Sequence, residues 1–432
     1  MFGYYLELAV RSLKRNIGLT TLMVLSISVG VALAMTTWTL VHMMSRDPIP
    51  YKSAHLFIPT VDAWGPSAET KDNEPPSLFG YATATALMRD HRARFQSAVY
   101  WVNPTVIPTQ AGAQPFVTSG FAVSSELFPM LGVPFKYGGG WSDSDDASRA
   151  QVVVIGEQVN DEVFNGVNSV GKSLNIDGHS YRVVGVLNRW NPQPVYFDVP
   201  AFGGFMVQTI GVLLPFNTAI AAAIPRDGER PCLHTPEQGF DGLLRSSCVW
   251  ISYIVQLDDA AAVSDYEQYL RGFARQNFNW PPNVRLRGLM AWMDYLQVVP
   301  TGVRILRLVG IGLLIVCLVD TIGLMLAKFL RRSGEIGVRR ALGAPRSAIY
   351  AQFLTEGALV GLLGGVLGLI LTWLGMFWLR LRFPENWSSL TQIDVGMLSL
   401  TLVIGIVATL LAALYPAFRA ARVEPAWQLK SS

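Results

Sequence analysis

Charge is scarce in this chain. Only 15% of its 432 residues are Asp, Glu, Lys or Arg, while 51% are hydrophobic, and the mean hydropathy is +0.33. Soluble domains of this length do not show that balance, and a membrane protein does. Histidine is also sparse: the five residues at 42, 55, 91, 179 and 234 are scattered along the chain, with none of the spacings that make a zinc site. A Gly-x-Ser-x-Gly elbow is absent, which removes the hydrolase signature that would place a nucleophile on a sharp turn. No catalytic residues and no metal ligands are assigned, and nothing in the composition calls for nucleic acid.

Cysteine is limited to three residues. Cys317 lies in an apolar run. Cys232 and Cys248 are 16 apart in a stretch rich in Pro, Gly and Ser. If that stretch lies outside the membrane, a disulfide between them would close a flexible loop and contribute about 3 kcal/mol in the chain-entropy model; the alternative is two free thiols.

What the sequence does have is four long apolar runs. Ile17 to Met44 holds no ionisable residue except His42 and exceeds the ~20 residues needed to cross a bilayer. Ala32-Leu33-Ala34 imitates a signal-peptidase site, but the run continues past it through Trp38 and Val41, so a retained span is expected. Leu308 to Ala327, Phe353 to Leu379 and Val395 to Ala417 are the other three. The resulting division is an interfacial amphipathic helix at 1–16, spans at 17–45, 303–330, 351–380 and 395–418, a large domain at 46–300, a connector at 331–350, a short outer loop at 381–394 carrying Trp387, and a basic tail at 419–432. Residues 46–300 hold 18 Lys/Arg against 24 Asp/Glu, although the whole chain is at +3. An acidic block flanked by basic segments is expected where the block is translocated and the basic segments stay in the cytoplasm. Both termini are then cytoplasmic.

Within the large domain the pattern is mixed α+β. Helices are expected at 124–130, 157–164, 258–277 and 289–296, a buried strand at 151–155, and a hairpin from Ser173–Ile176 through an Asp177-Gly178 turn to Tyr181–Leu187. The topology of 190–260 stays open. Two imitations of nucleotide-binding motifs are set aside. Gly166 to Ser173 spells a P-loop, but a helix precedes it and a hairpin follows, whereas phosphate cradling needs strand, loop and helix in that order. Leu313 to Asp320 mimics an apolar strand ending in a metal-binding Asp, yet it belongs to a span.

Three features of the spans carry functional weight. Asp320 interrupts the second, and an intramembrane carboxylate is costly in lipid; a hydrogen-bonded packing role against a neighbouring helix is the simplest account. Gly357, Gly361 and Gly365 in the third span, together with Gly364 and Gly368, follow small-xxx-small spacing and let two helix backbones approach, within the subunit or across a dimer. Glu356 at its start is placed to pair with the basic connector. That connector reads R-R-S-G-E-I-G-V-R-R-A-L-G-A-P-R over 331–346, with Ile336, Val338 and Leu342 alternating with Glu335, Arg339 and Arg340. A short amphipathic helix ending at Gly343 to Pro345 is expected.

The wording G-E-I-G-V-R-R-A-L-G-A resembles the loop between the second and third spans of the MacB/FtsX/LolC-type permeases. So do F-A-V-S-S-E-L-F-P-M-L-G-V-P, W-S-D-S-D-D, V-V-V-I-G and V-G-K-S-L-N-I-D-G-H-S-Y-R-V-V-G-V-L, in that order, for the MacB-like periplasmic core domain, and the ending Y-P-A-x-x-A-A-R-x-x-P. The resemblance implies a polytopic four-helix membrane protein of the bacterial inner membrane with a large α+β extracytoplasmic domain between its first two helices. It further implies docking of a separate ABC ATPase, which carries the ATP and Mg, on Glu335, Ile336, Gly337, Arg339, Arg340, Leu342 and Gly343, with no cofactor on this chain. A second permease copy or a paralogue, and for the efflux branch a periplasmic adaptor and outer-membrane channel, are the other implied partners. An FtsX-like transmembrane transmitter or sensor that regulates a periplasmic partner without moving a substrate is the alternative function.

Overall fold

The computed structural model describes residues 2–68, 73–108, 112–204, 209–382 and 395–421. The outer loop with Trp387 and the tail beyond 421 lie outside the described residues. The chain divides into two compact units, one made of Met1–Ser45 with Val299–Ser432 and the other of Arg46–Val298.

The Arg46–Val298 unit is built on one mixed sheet. Its strands are β1 (Leu56–Val61), β2 (Phe95–Val102), β3 (Thr105–Ile107), β4 (Phe116–Val117), β5 (Gly120–Val123), β6 (Phe135–Gly138), β7 (Val152–Ile155), β8 (Ser173–Ile176), β9 (His179–Leu187), β10 (Val212–Pro215), β11 (Ser252–Gln256) and β12 (Val284–Gly288). They run in the order β12-β1-β11-β2-β5-β10-β7-β9-β8-β3-β4, with β6 paired to β9. Among the described residues, only the β5/β10 and β7/β9 pairs are parallel. The stretch 190–260 therefore supplies two interior strands: β10 between β5 and β7, and β11 between β1 and β2.

Uninterrupted apolar runs such as Val152-Val153-Val154-Ile155 follow from that position, because a strand covered on both faces cannot alternate apolar with polar. Val153 and Ile155 enter one core with Tyr100, Trp250 and Tyr253, and Val152 and Val154 enter the other with Phe121, Phe128 and Trp292. The β8–β9 hairpin turns at Asp177 (φ 49°) and Gly178 (φ 84°), both in the left-handed region that a two-residue type I′ turn requires. The helix expected at 124–130 begins only at Leu127. Ser124 and Ser125 are instead held by the Ser97 hydroxyl and Asp146 at their amides. The helix expected from 258 begins at Ala260, because Asp259 caps it by accepting from the Ala262 amide at 2.8 Å.

The other unit consists of helices. They are α1 (Phe2–Arg15), α2 (Ile17–Met44), α3 (Thr301–Arg331), α4 (Ser333–Ala341), α5 (Arg346–Arg382) and α6 (Val395–Ala421). Four of them contain segments long and apolar enough to cross a membrane: Ile17–His42, Thr301–Arg331, Arg346–Trp378 and Leu402–Arg419. The large domain thus sits in sequence between the first and second of four membrane helices.

The glycines of α5 serve two neighbours. A Cβ at Gly357 would lie 2.6 Å from the Ala413 Cβ, and at Gly361 1.9 Å from the Thr409 Oγ1, both on α6. Gly365 faces Leu402 of the same helix. Gly364 and Gly368 face Ile27 and Val31 of α2. Two interleaved small-residue stripes let one helix approach two others.

One buried acid in the Arg46–Val298 unit gives a pH-dependent prediction. Asp146 accepts from the Ser125 and Asn217 amides, yet burial raises its carboxyl to about 6. A raised folded-state pKa means that the folded form binds the extra proton between the unfolded value and about 6, so this group lowers stability as pH rises through that window. Asn can accept from only one of those two amides, so the readout is the pH dependence: the stability of Asp146→Asn relative to the parent should rise by about 1–2 kcal/mol between pH 4 and pH 7.5 in thermal unfolding of the full chain. An equal offset at both pH values would show that desolvation of the carboxylate is not the cause.

Candidate functional site

The helix α4 follows α3 almost directly. Arg332 breaks the helical path with φ −112° and ψ 5° while its amide still reaches the Phe329 carbonyl at 2.9 Å. The other end is a Schellman stop: Gly343 (φ 94°) donates to the Arg340 carbonyl at 3.1 Å and Ala344 to that of Arg339 at 3.1 Å. Glu335 lies in its first turn and Arg339 and Arg340 in its last, so each charge opposes the helix dipole at its own end.

Its inward side is anchored by apolar and ionic contacts. Ile336 packs against the cluster of Phe329, Ile349, Phe353 and Ala417, and Gly337 is buried. Glu335 accepts from Arg15 of α1 at 2.5 Å and lies 3.6 Å from the Arg332 Nε. Arg332 in turn donates to the Ser12 hydroxyl and reaches Glu356 of α5 at 3.5 Å. Glu356 also receives the Lys328 ammonium at 2.9 Å, with both side chains about 95% buried (4% and 5% exposed). Arg339 donates to Gln352 at 2.9 Å, and Gln352 to Glu356 at 3.5 Å. A single polar network therefore links α1, α3, α4 and α5.

The outward side is different. Val338 is 55% exposed and Leu342 83% exposed, four residues apart and so on one face of the helix. Arg346, Ser347, Tyr350, Ala351 and Leu354 of α5 line an open groove. The arrangement is a small apolar ridge bordered by arginines, held rigidly from behind.

The remaining sequence-derived residues lie elsewhere. Asp320 is exposed on α3. It shares a stripe with Val309, Gly312, Val316, Gly323 and Ala327, all exposed, and a Cβ at Gly312 or Gly323 would meet open space. Cys232 and Cys248 form a disulfide in the outer unit, and Cys317 is free. Among the described residues no group of three or more His, Cys, Asp or Glu is arranged to hold a metal ion.

Sequence reasoning missed Lys328, which reads as an ordinary basic flank of a span, and Gly30 with Gly310. A Cβ at Gly30 would meet Cys317 at 2.9 Å, and one at Gly310 would meet Thr37 at 2.4 Å, so these two glycines set the α2/α3 approach. The one available signal was Glu356, an acid at the start of an apolar run; its partner on another helix is not encoded in spacing.

The model of the MacB-like periplasmic core domain matches residues 20–273, more than half of the chain, and that of the FtsX-like permease C-terminal domain matches residues 307–425. The chain belongs to the MacB/FtsX-type permeases. It is 25% identical to the macrolide export ATP-binding/permease protein MacB of Escherichia coli K12 over 436 residues, covering 98% of this chain and 60% of that protein. It is likewise 25% identical to the protein of the same name from Wolinella succinogenes, covering 85% of this chain and 52% of that protein. The chain thus spans roughly half to three-fifths of the relatives it matches, and the part it covers is the permease. Among solved structures, the periplasmic region of MacB from Actinobacillus actinomycetemcomitans is similar with a TM-score of 0.38 and 11% identity, over 59% of this chain and 97% of that one. The family assignment makes the chain a multi-pass membrane protein with a periplasmic domain.

The buried pair supports a double-substitution prediction. Glu356→Leu alone leaves Lys328 buried without its carboxylate and should destabilise the solubilised protein by about 3–5 kcal/mol. Lys328→Met combined with Glu356→Leu should recover most of that loss, read as the thermal midpoint in detergent. Additive losses in the double variant would mean that the two groups do not act as a pair.

Proposed function

We propose that this chain is the permease subunit of an ABC-type efflux or mechanotransmission system of the bacterial inner membrane. A separate ABC ATPase, which binds the ATP and Mg, drives it, and it acts on a substrate at the periplasmic side. Both termini and α4 then lie in the cytoplasm, in keeping with the basic residues around them.

The observation that carries this reading is the two-sided character of α4. Its inner side is fixed to three other helices by Glu335, Ile336 and Arg339, while Val338 and Leu342 face outward with no apolar cover among the described residues. A rigid, wet-side helix with an exposed Leu at its tip suits the groove of a soluble partner, the helix-in-groove mode of recognition. Force applied there reaches α1, α3 and α5 through the Glu335–Arg332–Glu356 network. Glu335 and Arg339 thus transmit and Leu342 contacts.

A second copy of the permease completes the picture. A carboxylate facing hydrocarbon costs about 2.5–3.5 kcal/mol, so the Asp320 stripe requires a polar partner, and open Gly312 and Gly323 let another helix come close. The MacB name of the relatives places macrolide export among their functions; the substrate of this chain is left at the level of a periplasmic solute.

Two experiments test these assignments. Leu342→Asp should abolish co-purification of an ABC ATPase from native membranes without lowering the permease's thermal midpoint, and Glu335→Lys and Arg339→Glu should weaken it. Retention of the ATPase in all three would remove α4 as the docking element. In a Cys317→Ser background, Val316→Cys or Gly323→Cys should give oxidant-dependent permease dimers, whereas Leu314→Cys, which faces α2, should not. Asp320→Ala should reduce the dimers several-fold and Asp320→Asn should keep them, since two side-chain amides can pair; no cross-link from the stripe would refute a second copy there.

A further inference from the structure

The outer unit contains a cavity that the coupling of α4 to an ATPase does not use. It has a volume of about 470 Å³ and lies in the excursion between β10 and β11. Pro225, Phe240, Leu243 and the Cys232–Cys248 disulfide make its apolar walls, and Arg230 and Glu237 stand among them. That size falls within the range of small-molecule sites, about 300–1,000 Å³, which are largely apolar with a few polar groups that fix orientation.

The excursion is tied down at both ends. Arg226, 2% exposed, pairs with the fully buried Asp198 at 3.3 Å, donates to the Trp250 carbonyl at 3.0 Å, and shares Asp198 with the Ser252 hydroxyl at 2.6 Å. Asp227 donates from its amide to the Trp101 carbonyl at 3.0 Å. At the far end the disulfide is reinforced by the Val249 amide on the Pro231 carbonyl at 2.9 Å and by the Trp64 indole on the Ser247 carbonyl at 2.7 Å. Gly242 is packed so tightly that a Cβ would lie 2.2 Å from the Glu237 carbonyl oxygen, which seats the helix Phe240–Arg245 and turns Phe240 and Leu243 to the cavity. A surface loop kept only for connection needs neither a buried ion pair nor a covalent staple. Holding this one in place preserves the cavity.

Charge then selects the occupant. Glu237 is matched by Arg245 at 3.5 Å. Arg230 is exposed and, among the described residues, has no ion pair, so of the two charged residues that line the cavity it is the one left without a partner. We propose that this cavity is a periplasmic ligand site for a small apolar anion, an aromatic or acyl body seated on Phe240, Leu243 and the disulfide with its carboxylate at Arg230. The proposal stands on the outer unit alone and would survive failure of the ATPase-docking assignment.

The test is photolabelling of the full-length protein in membrane vesicles with 4-benzoylbenzoate, an aromatic carboxylate, followed by peptide mapping. Saturable labelling should map to residues 223–248 and be competed by 2-naphthoate. Arg230→Ala, a change at an exposed side chain, should lower it about fivefold or more, and the paired Cys232→Ser and Cys248→Ser substitutions should lower it with the thermal midpoint recorded alongside. A trimethylammonium analogue of the probe should label weakly. Labelling that is unsaturable, that is unchanged by Arg230→Ala, or that favours the cationic analogue would overturn the proposal.

Discussion

A lysine and a glutamate, both about 95% buried beside the end of a membrane span, cannot be left apart. Lys328 and Glu356 meet at 2.9 Å, and their separation would strand two charges in a medium that solvates neither. Replacing such a pair by apolar residues is often neutral, so its stability contribution does not explain its presence. What the pair adds is direction: it fixes the register of α3 against α5 and presents the second Glu356 oxygen to Arg332. Arg332 is the residue at which the chain turns from α3 into α4, so the orientation of α4 rests on the same carboxylate.

The helices that carry these charges can approach only because their contact faces are stripped of side chains. Without water, apolar helices gain nothing from the hydrophobic effect by associating, and packing with backbone proximity has to suffice. Gly357, Gly361 and Gly365 toward α6, Gly364 and Gly368 toward α2, and Gly30 and Gly310 between α2 and α3 supply that proximity. Thr409 shows the cost of closeness in a span. Its hydroxyl, fully buried against Gly361, is satisfied by the Gly405 carbonyl of its own helix at 2.8 Å, so a polar side chain sits at the contact without an orphaned group.

Local signals were legible in the sequence. The spans announced themselves by unbroken apolar length, the β8–β9 hairpin by Asp177-Gly178, and the stop of α4 by Gly343, where a positive φ is needed. Glu356 was readable as a partner for the connector because an acid in an apolar helix has few other uses. Sheet order was not legible. The β10 and β11 strands enter the interior of the sheet from a stretch full of Pro and Gly, and pairing between residues a hundred positions apart leaves no local trace. Lys328 was hidden for a related reason, since a basic residue at a span end is expected whether it snorkels to water or is buried in a pair. Gly30 and Gly310 were hidden because each is a lone small residue on its helix; their pairing exists only once α2 and α3 are side by side.

The outer unit solves a different problem with the same logic. Two apolar cores on opposite faces of one sheet leave the interior strands few polar positions, Ser97 and Ser252 among them, and the connections supply most of the rest. The longest of these, between β10 and β11, returns charge to the interior: Arg226 and Asp198 are buried together, and Ser252, the first residue of β11, completes the carboxylate's partners. Burial raises the Asp198 carboxyl while Arg226 draws it back down, so the ion pair persists only if both remain in place. A connection anchored so firmly to the first residue of an interior strand cannot drift, and the disulfide fixes its other arm. The cavity lies between those two anchors, lined by the connection they hold.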